Sequence, residues 1–425
     1  MTRSGPLADL RVVELTTAWS GPMAGRILAF LGAEVVHVES STKLDNWRLH
    51  GEPIRPARYP GGVGGARPYN RAAFFNSQNI NKLSLSVNLK SPDGCRILQG
   101  LLEDADILLC NYTPGALRRL GLDFDTIREC NPGLVTLEMP AFGSHGPHSN
   151  YKAMGPTMEA SAGFGSLVGY GDGAPSLSGT LYCDPLGGFN GAAAVLTALA
   201  GRDRTGKGDD IEMSQVEAAM QVIGEALLDG IETGQPFRPT GNRVPYAAPH
   251  DSYHCAGGED EWVAIAIFDD ADWQRFCDIA GFPELADDPR YATQALRRAN
   301  QDALREPITA WTAGLGKFEV AELLQSADIA AAPVMHAKDV FESAYLRERG
   351  YFTALGNDEV GKEFEYPGMP FRLESTPGGQ YRHAPALGQD NDYVLRHILN
   401  LSDDEISALD VKALSAVPEP QGKSS

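Results

Sequence analysis

Apolar residues in the first 140 positions fall into short runs that alternate with stretches of helical spacing. Leu10 to Leu15 (LRVVEL) reads as a buried strand, and TTAWSGP as the turn after it. MAGRILAFLG then carries apolar residues at helical spacing and stops at Gly32, and AEVVHVE is a second strand. Parallel strands need such a crossover, so this is one β-α-β unit. The pattern recurs. Leu83 to Leu89 alternates like a strand, and Ser91 and Pro92 fit the N-cap and first position of a helix continuing through RILQGLLEDA. DILLCNY is a further strand, PGALRRLG and FDTIREC are short helices, and LVTLEMPAFG is a strand ending in a glycine turn. Such alternation predicts an α/β domain whose parallel sheet is covered on both faces.

Beyond this the pattern changes. Gly187 to Ala200 is a helix of small residues, RDRTGKGD a charged turn, DIEMS a strand, and Glu217 to Ile231 mostly helix. The Pro-, Gly- and Asn-rich stretch starting FRPTGNRVPYAAPHDSYH marks a boundary near 225 to 240. WVAIAIF is a strand, and Asp270 to Gln325 is largely helical. ADIAAAPVMHAKDVF reads as a linker back to the first body. The expected layout is therefore 1–225, a smaller domain over 226–335, and a return over 336–425. Ser402 and Glu405 form a capping box for a helix through ISALDVKAL, and PEPQGKSS is expected to be disordered.

At 425 residues and 43% hydrophobic the chain can bury a large core. Its net charge of −20, with no basic cluster, argues against nucleic acid as a partner. An anionic ligand would need a local positive pocket set against that background. The six cysteines include no Cys-x-x-Cys pair, which fits free thiols in the cytoplasm and argues against a zinc site. The start lacks a signal-peptide core, and no apolar run is long enough to span a membrane.

Several motifs fall short of their chemistry. TTAWSGP lacks the glycines of a dinucleotide loop, which leaves Glu39 as a solvated strand end. GRDRTGKG has Gly208 where a P-loop needs Ser or Thr. His250 and His254 are four apart, but in loop or strand surroundings and without a third ligand, so no metal is expected. There is no G-x-S-x-G, and no neighbouring base to activate Cys183. Asp184 remains. Ahead of Pro185 and a small-residue helix, it reads as an N-cap contributing about 1 kcal/mol. The residues alone favour that capping role; the functional alternative is a carboxylate beside Gly187 and Gly188, where a bulky ligand can approach and helix N–H groups can stabilise an oxyanion.

PLADLRVVEL, SGPMAGRILAFLGAEVVHVE, NKLSLSVNL, DADILLCNYTPGALRRLG, MPAFGSHGP, SGTLYCDPLGG, LTALAGRDRTGKGDDIEMS, GNRVPYAAPHDSY and APALGQDN, in this order and spacing, resemble the class III CoA-transferases over nearly the whole chain. The resemblance implies a Rossmann-like large domain built from both chain ends, a smaller inserted α+β domain, and an interlocked homodimer. It implies Asp184 as the nucleophile, through a mixed anhydride and an aspartyl-CoA thioester, with acyl-CoA and a free acid as substrates and no tightly bound cofactor. It places Lys43, Arg48, Lys82, Arg119 and Lys152 near the nucleotide, and Thr17, Ala18, Trp19, Ser20 and Met154 around the CoA and acyl site. Trp19 departs from the smaller or polar residues common there. The α-methylacyl-CoA racemases share the aspartate but add a histidine that would fall within 151–160, where this chain has none.

Overall fold

The computed structural model describes residues 3–122, 124–170, 174–235, 237–361 and 363–409. Six strands form a parallel sheet: β1 (Arg11–Leu15), β2 (Glu34–Glu39), β3 (Leu83–Ser86), β4 (Ile107–Cys110), β5 (Val135–Glu138) and β6 (Asp210–Glu212). Their order is β3-β2-β1-β4-β5-β6. The chain runs outward from β1 to one edge and from β4 to the other, so the strand order reverses between these two. In open α/β sheets the crevice beyond the strand ends at such a point is where ligands bind.

Alternation along the strands feeds two cores. Val13, Val36 and Leu85 pack with Leu98 and Leu101 of the Pro92–Glu103 helix, which Ser91 caps through the Gly94 N–H. Val12, Val35, Ile107, Leu109 and Leu137 pack on the other face with Leu28 and Val195. Leu28 and Val195 lie on the helices Ser20–Phe30 and Cys183–Thr205, which touch closely because Gly188 has no side chain. A Cβ there would lie 2.6 Å from the Met23 Cβ.

The chain divides into two compact units. The first comprises 1–164, 177–232 and 350–425, and the second 165–176 and 233–349. The second holds an antiparallel sheet of β7 (His250–His254), β8 (Trp262–Ala266) and β9 (Ala330–Val334) over a core including Val263, Ile265, Trp273, Phe276 and Leu324. β9 corrects the reading of that segment as a linker. Its run AAAPV shows no apolar alternation, and its pairing with β8 decides its conformation. In the first unit β10 (Phe352–Leu355) and β11 (Phe364–Pro367) pair antiparallel.

One further expectation changes and one holds. The helix from Cys183 runs through RDRT to Thr205 and ends on Gly206 at φ +71°, so the charged segment is mostly helix end and not turn. The Ser402–Glu405 capping box forms and starts the helix Asp403–Ala408. VKAL and PEPQGKSS lie outside the described residues. No helix among the described residues is long and apolar enough to cross a membrane.

Glu39 is not a solvated strand end. It is buried on β2, where Arg48 grips it with two bonds of 2.6 Å. Glu14 on β1 is buried beside it and accepts from the Lys82 ammonium at 2.9 Å. His37 lies in register between Glu14 and Ser84, 3.3 Å from the Glu14 carboxylate. Burial would raise the Glu14 carboxyl, but Lys82 and then His37 outweigh it and hold it down at about 2. Removing one partner of a buried pair strands the other's charge. Lys82→Met should therefore lower unfolding free energy by about 3–5 kcal/mol in urea titrations.

Candidate active site

The Cys183–Thr205 helix opens after Leu181, held at φ +54°, and Tyr182, which provides no side-chain cap. Asp184 lies inside the first turn, so it is not the N-cap that the Pro185 position predicts. SGTLY, which leads into the helix, is irregular. The Asp184 carboxylate is 9% exposed and rests against Gly155, the first residue of the Gly155–Ser161 helix. A Cβ on Gly155 would lie 2.2 Å from the Asp184 Oδ2. The carboxylate occupies the space of the missing side chain. Burial pushes its pKa up to about 6. Cys183 is fully buried, and burial, followed by the charges of Glu159 and Asp184, pushes its thiol up to about 11. It is no thiolate nucleophile near neutral pH.

Glu159 belongs to this site and was missed in the sequence. Fully buried, it accepts the Ser178 N–H at 2.8 Å and so fixes the segment leading into Asp184. The available signal was its spacing of four from Gly155, which puts both on one face of a helix.

The loop Thr17–Ser20 leaves β1 at the reversal point. Asn111, just beyond β4, clamps it: its Oδ1 accepts the Thr17 N–H at 2.9 Å and its Nδ2 donates to the Thr17 carbonyl at 2.8 Å. Ala18 sits at φ +62°, a conformation that costs a residue with a side chain. The Asp45 carboxylate holds it there by accepting its N–H at 3.0 Å. Trp19 packs on Trp47, ring centroids 5.4 Å apart. The Ser20 carbonyl would be 2.9 Å from a Cβ at Gly188, so this loop lies one helical turn from Asp184.

Met154 is 67% exposed next to Gly155, and Lys152 is exposed two residues earlier. Lys43 is exposed on the turn after β2. Arg119 is exposed at the end of the short helix Ala116–Arg119 after β4, bonded to the Pro114 carbonyl and the Thr113 hydroxyl. Arg48 and Lys82 do not fit the expected nucleotide contact. Both are fully buried. Arg48 spends its donors on Glu39, Asn70 and the carbonyls of Tyr69 and Pro385. Lys82 spends its three on Glu14, Asn79 and the Pro22 carbonyl. In the second unit the His250 and His254 rings bond the carbonyls of Asn242 and Gly258. No group of three potential metal ligands occurs among the described residues.

The sequence profile described as CoA-transferase family III matches residues 7–391. The chain belongs to that family. As a family III CoA-transferase it is 30% identical to a succinyl-CoA–D-citramalate CoA-transferase of Chloroflexus aurantiacus, over 96% of this chain and 97% of the relative. It is 31% identical to a formyl-CoA:oxalate CoA-transferase of Streptomyces avermitilis, over 95% and 98%. A CAIB/BAIF family protein from Brucella suis has a similar crystal structure, with TM-score 0.83 and 27% identity over 93% of this chain and all of that one. The chain is thus an enzyme of acyl-CoA chemistry.

The raised pKa of Asp184 has a consequence for stability. Between the usual carboxyl value of 3.8 and about 6, the folded protein holds a proton that the unfolded chain has released. This favours folding at low pH and is lost as pH rises through about 6. Asp184→Asn should therefore gain about 1–3 kcal/mol on the wild type at pH 8 compared with pH 4. Thermal unfolding of both proteins at the two pH values measures it.

Proposed function

We propose that this family III CoA-transferase moves CoA from an acyl-CoA donor to a free carboxylic acid with Asp184 as the nucleophile. The observation that carries the reading is the Asp184 carboxylate itself, buried against Gly155 in the first turn of a 23-residue helix, with its pKa raised to about 6. A carboxylate kept from water is the more basic, and the better attacking group, once ionised.

An Asp184 oxygen attacks the thioester carbonyl. The C–S bond breaks, CoA leaves as thiolate, and a mixed anhydride remains on Asp184. The thiolate attacks the Asp184 carbonyl, the donor acid departs as carboxylate, and an aspartyl-CoA thioester forms. The acceptor carboxylate then attacks that thioester. Thiolate leaves again, attacks the acceptor carbonyl of the new anhydride, and frees Asp184. No proton, electron pair or metal is consumed, because each step exchanges one carboxylate or thiolate for another. N–H groups at the helix start favour the oxyanion of each tetrahedral intermediate.

The exposed cations Lys43, Arg119 and Lys152 supply positive charge for the CoA phosphates on an otherwise acidic protein. The interlocked pair implied by the resemblance is supported by exposed apolar residues in the first unit. Tyr182, Phe189, Leu228 and Ile231 are 48%, 47%, 62% and 78% exposed, and a second copy would cover them.

Mass spectrometry after mixing with succinyl-CoA or acetyl-CoA, trapped with hydroxylamine or borohydride, should map a modification to Asp184 that Asp184→Asn lacks. An unmodified Asp184, with solvent deuterium entering a substrate α-carbon, would shift the reading to racemisation. Turnover should rise with pH along a limb centred near 6, as the nucleophile ionises. Gly155→Ala, which pushes a methyl group into the carboxylate, should cut kcat on the order of a hundredfold and cost about 1–3 kcal/mol of stability in thermal unfolding.

A further inference from the structure

We propose that Trp19, Trp47 and Phe74 form a wall that selects acids with an aromatic or extended apolar chain as the acyl partner; this rests on the reading that acyl groups react at Asp184. The three rings run in sequence. Trp19 and Trp47 have centroids 5.4 Å apart, as do Trp47 and Phe74, and Phe74 is 44% exposed at the outer end. The inner end lies next to Ser20, one helical turn from Asp184.

The wall is anchored from beneath. One buried carboxylate, Asp45, accepts the N–H of Ala18 at 3.0 Å and that of Trp47 at 2.8 Å, and so fixes the backbone that bears both indoles. Arg48, the next residue, is locked onto Glu39. The Trp19 indole N–H is buried without an acceptor, so packing alone orients that ring. A strained Ala18 and two buried anchors make a costly arrangement for residues that only cover a surface.

Charge decides between acyl classes. A dicarboxylate needs a cation for its second carboxylate; Arg48 and Lys82 beneath this loop have every donor engaged, and Arg58 beside Phe74 is paired with the Glu52 carboxylate. A quaternary ammonium group favours an open aromatic face, yet the Arg58 guanidinium already lies 5.9 Å from the Phe74 centroid. A neutral apolar chain meets neither obstacle and gains ring contact.

The test is a competition among acceptors with the full-length enzyme and acetyl-CoA as donor. The acceptors are 3-phenylpropionate, succinate, oxalate and 4-(trimethylammonio)butyrate. The expected kcat/KM is highest for 3-phenylpropionate, and Phe74→Ala and Trp47→Ala should each lower its ratio to succinate about tenfold. Highest kcat/KM for any of the other three acids, or a ratio that neither substitution moves, overturns the proposal. Calorimetric binding of 3-phenylpropionyl-CoA and succinyl-CoA to Asp184→Asn needs no chemistry and separates the two readings. Preference there for the phenyl thioester, lost in the double variant with Phe74→Ala, supports the wall even if no adduct forms on Asp184. Equal binding of the two thioesters sinks the wall even where the adduct is found.

Discussion

Glu14 and Glu39 stand on one face of neighbouring strands, shut away from water, and much of the first 90 residues is arranged to neutralise them. Glu14 draws Lys82 inward, and Lys82 in turn binds the Pro22 carbonyl at the start of the first helix. Glu39 draws Arg48 inward, and with it the short turn bearing Trp47. A buried carboxylate stripped of its cation costs about 3–5 kcal/mol, a large share of a domain's net stability, so the fold leans on this pairing. The result is a rigid polar layer directly under the loop that leaves β1. Two residues that resemblance places at the ligand serve the loop from below.

Asp184 presents the opposite solution to the same problem. It is buried with no cation against it, and its proton affinity rises in consequence. Glycine makes the geometry possible at two positions, Gly155 under the carboxylate and Gly188 where the two long helices cross. The fold thus carries carboxylates held by cations at the centre of its sheet and one governed by burial alone at the head of a neighbouring helix.

Much of this was legible in the sequence. The parallel strands announced themselves through short apolar runs, and Ser91 and Ser402 declared their helices through capping chemistry that acts within a few residues. Asp184 stood out because a proline and two glycines followed it. What escaped depended on distant partners. AAAPV has no pattern that marks a strand until β8 lies beside it. Glu39 and Arg48 look like ordinary surface charges nine positions apart, and only the fold brings them to 2.6 Å. Glu159 is one acid among many until Ser178 arrives from 19 residues away.

Asn111 binds both the N–H and the carbonyl of Thr17, so the segments leaving β1 and β4 behave as one piece. Freeing either means breaking two hydrogen bonds together. On the proposed route two different acids must take turns at one carboxylate, and the departing acid has to clear the chamber first. The braced side of the crevice is poorly suited to act as its doorway. Any exchange of acids must then use a border other than the paired loops after β1 and β4.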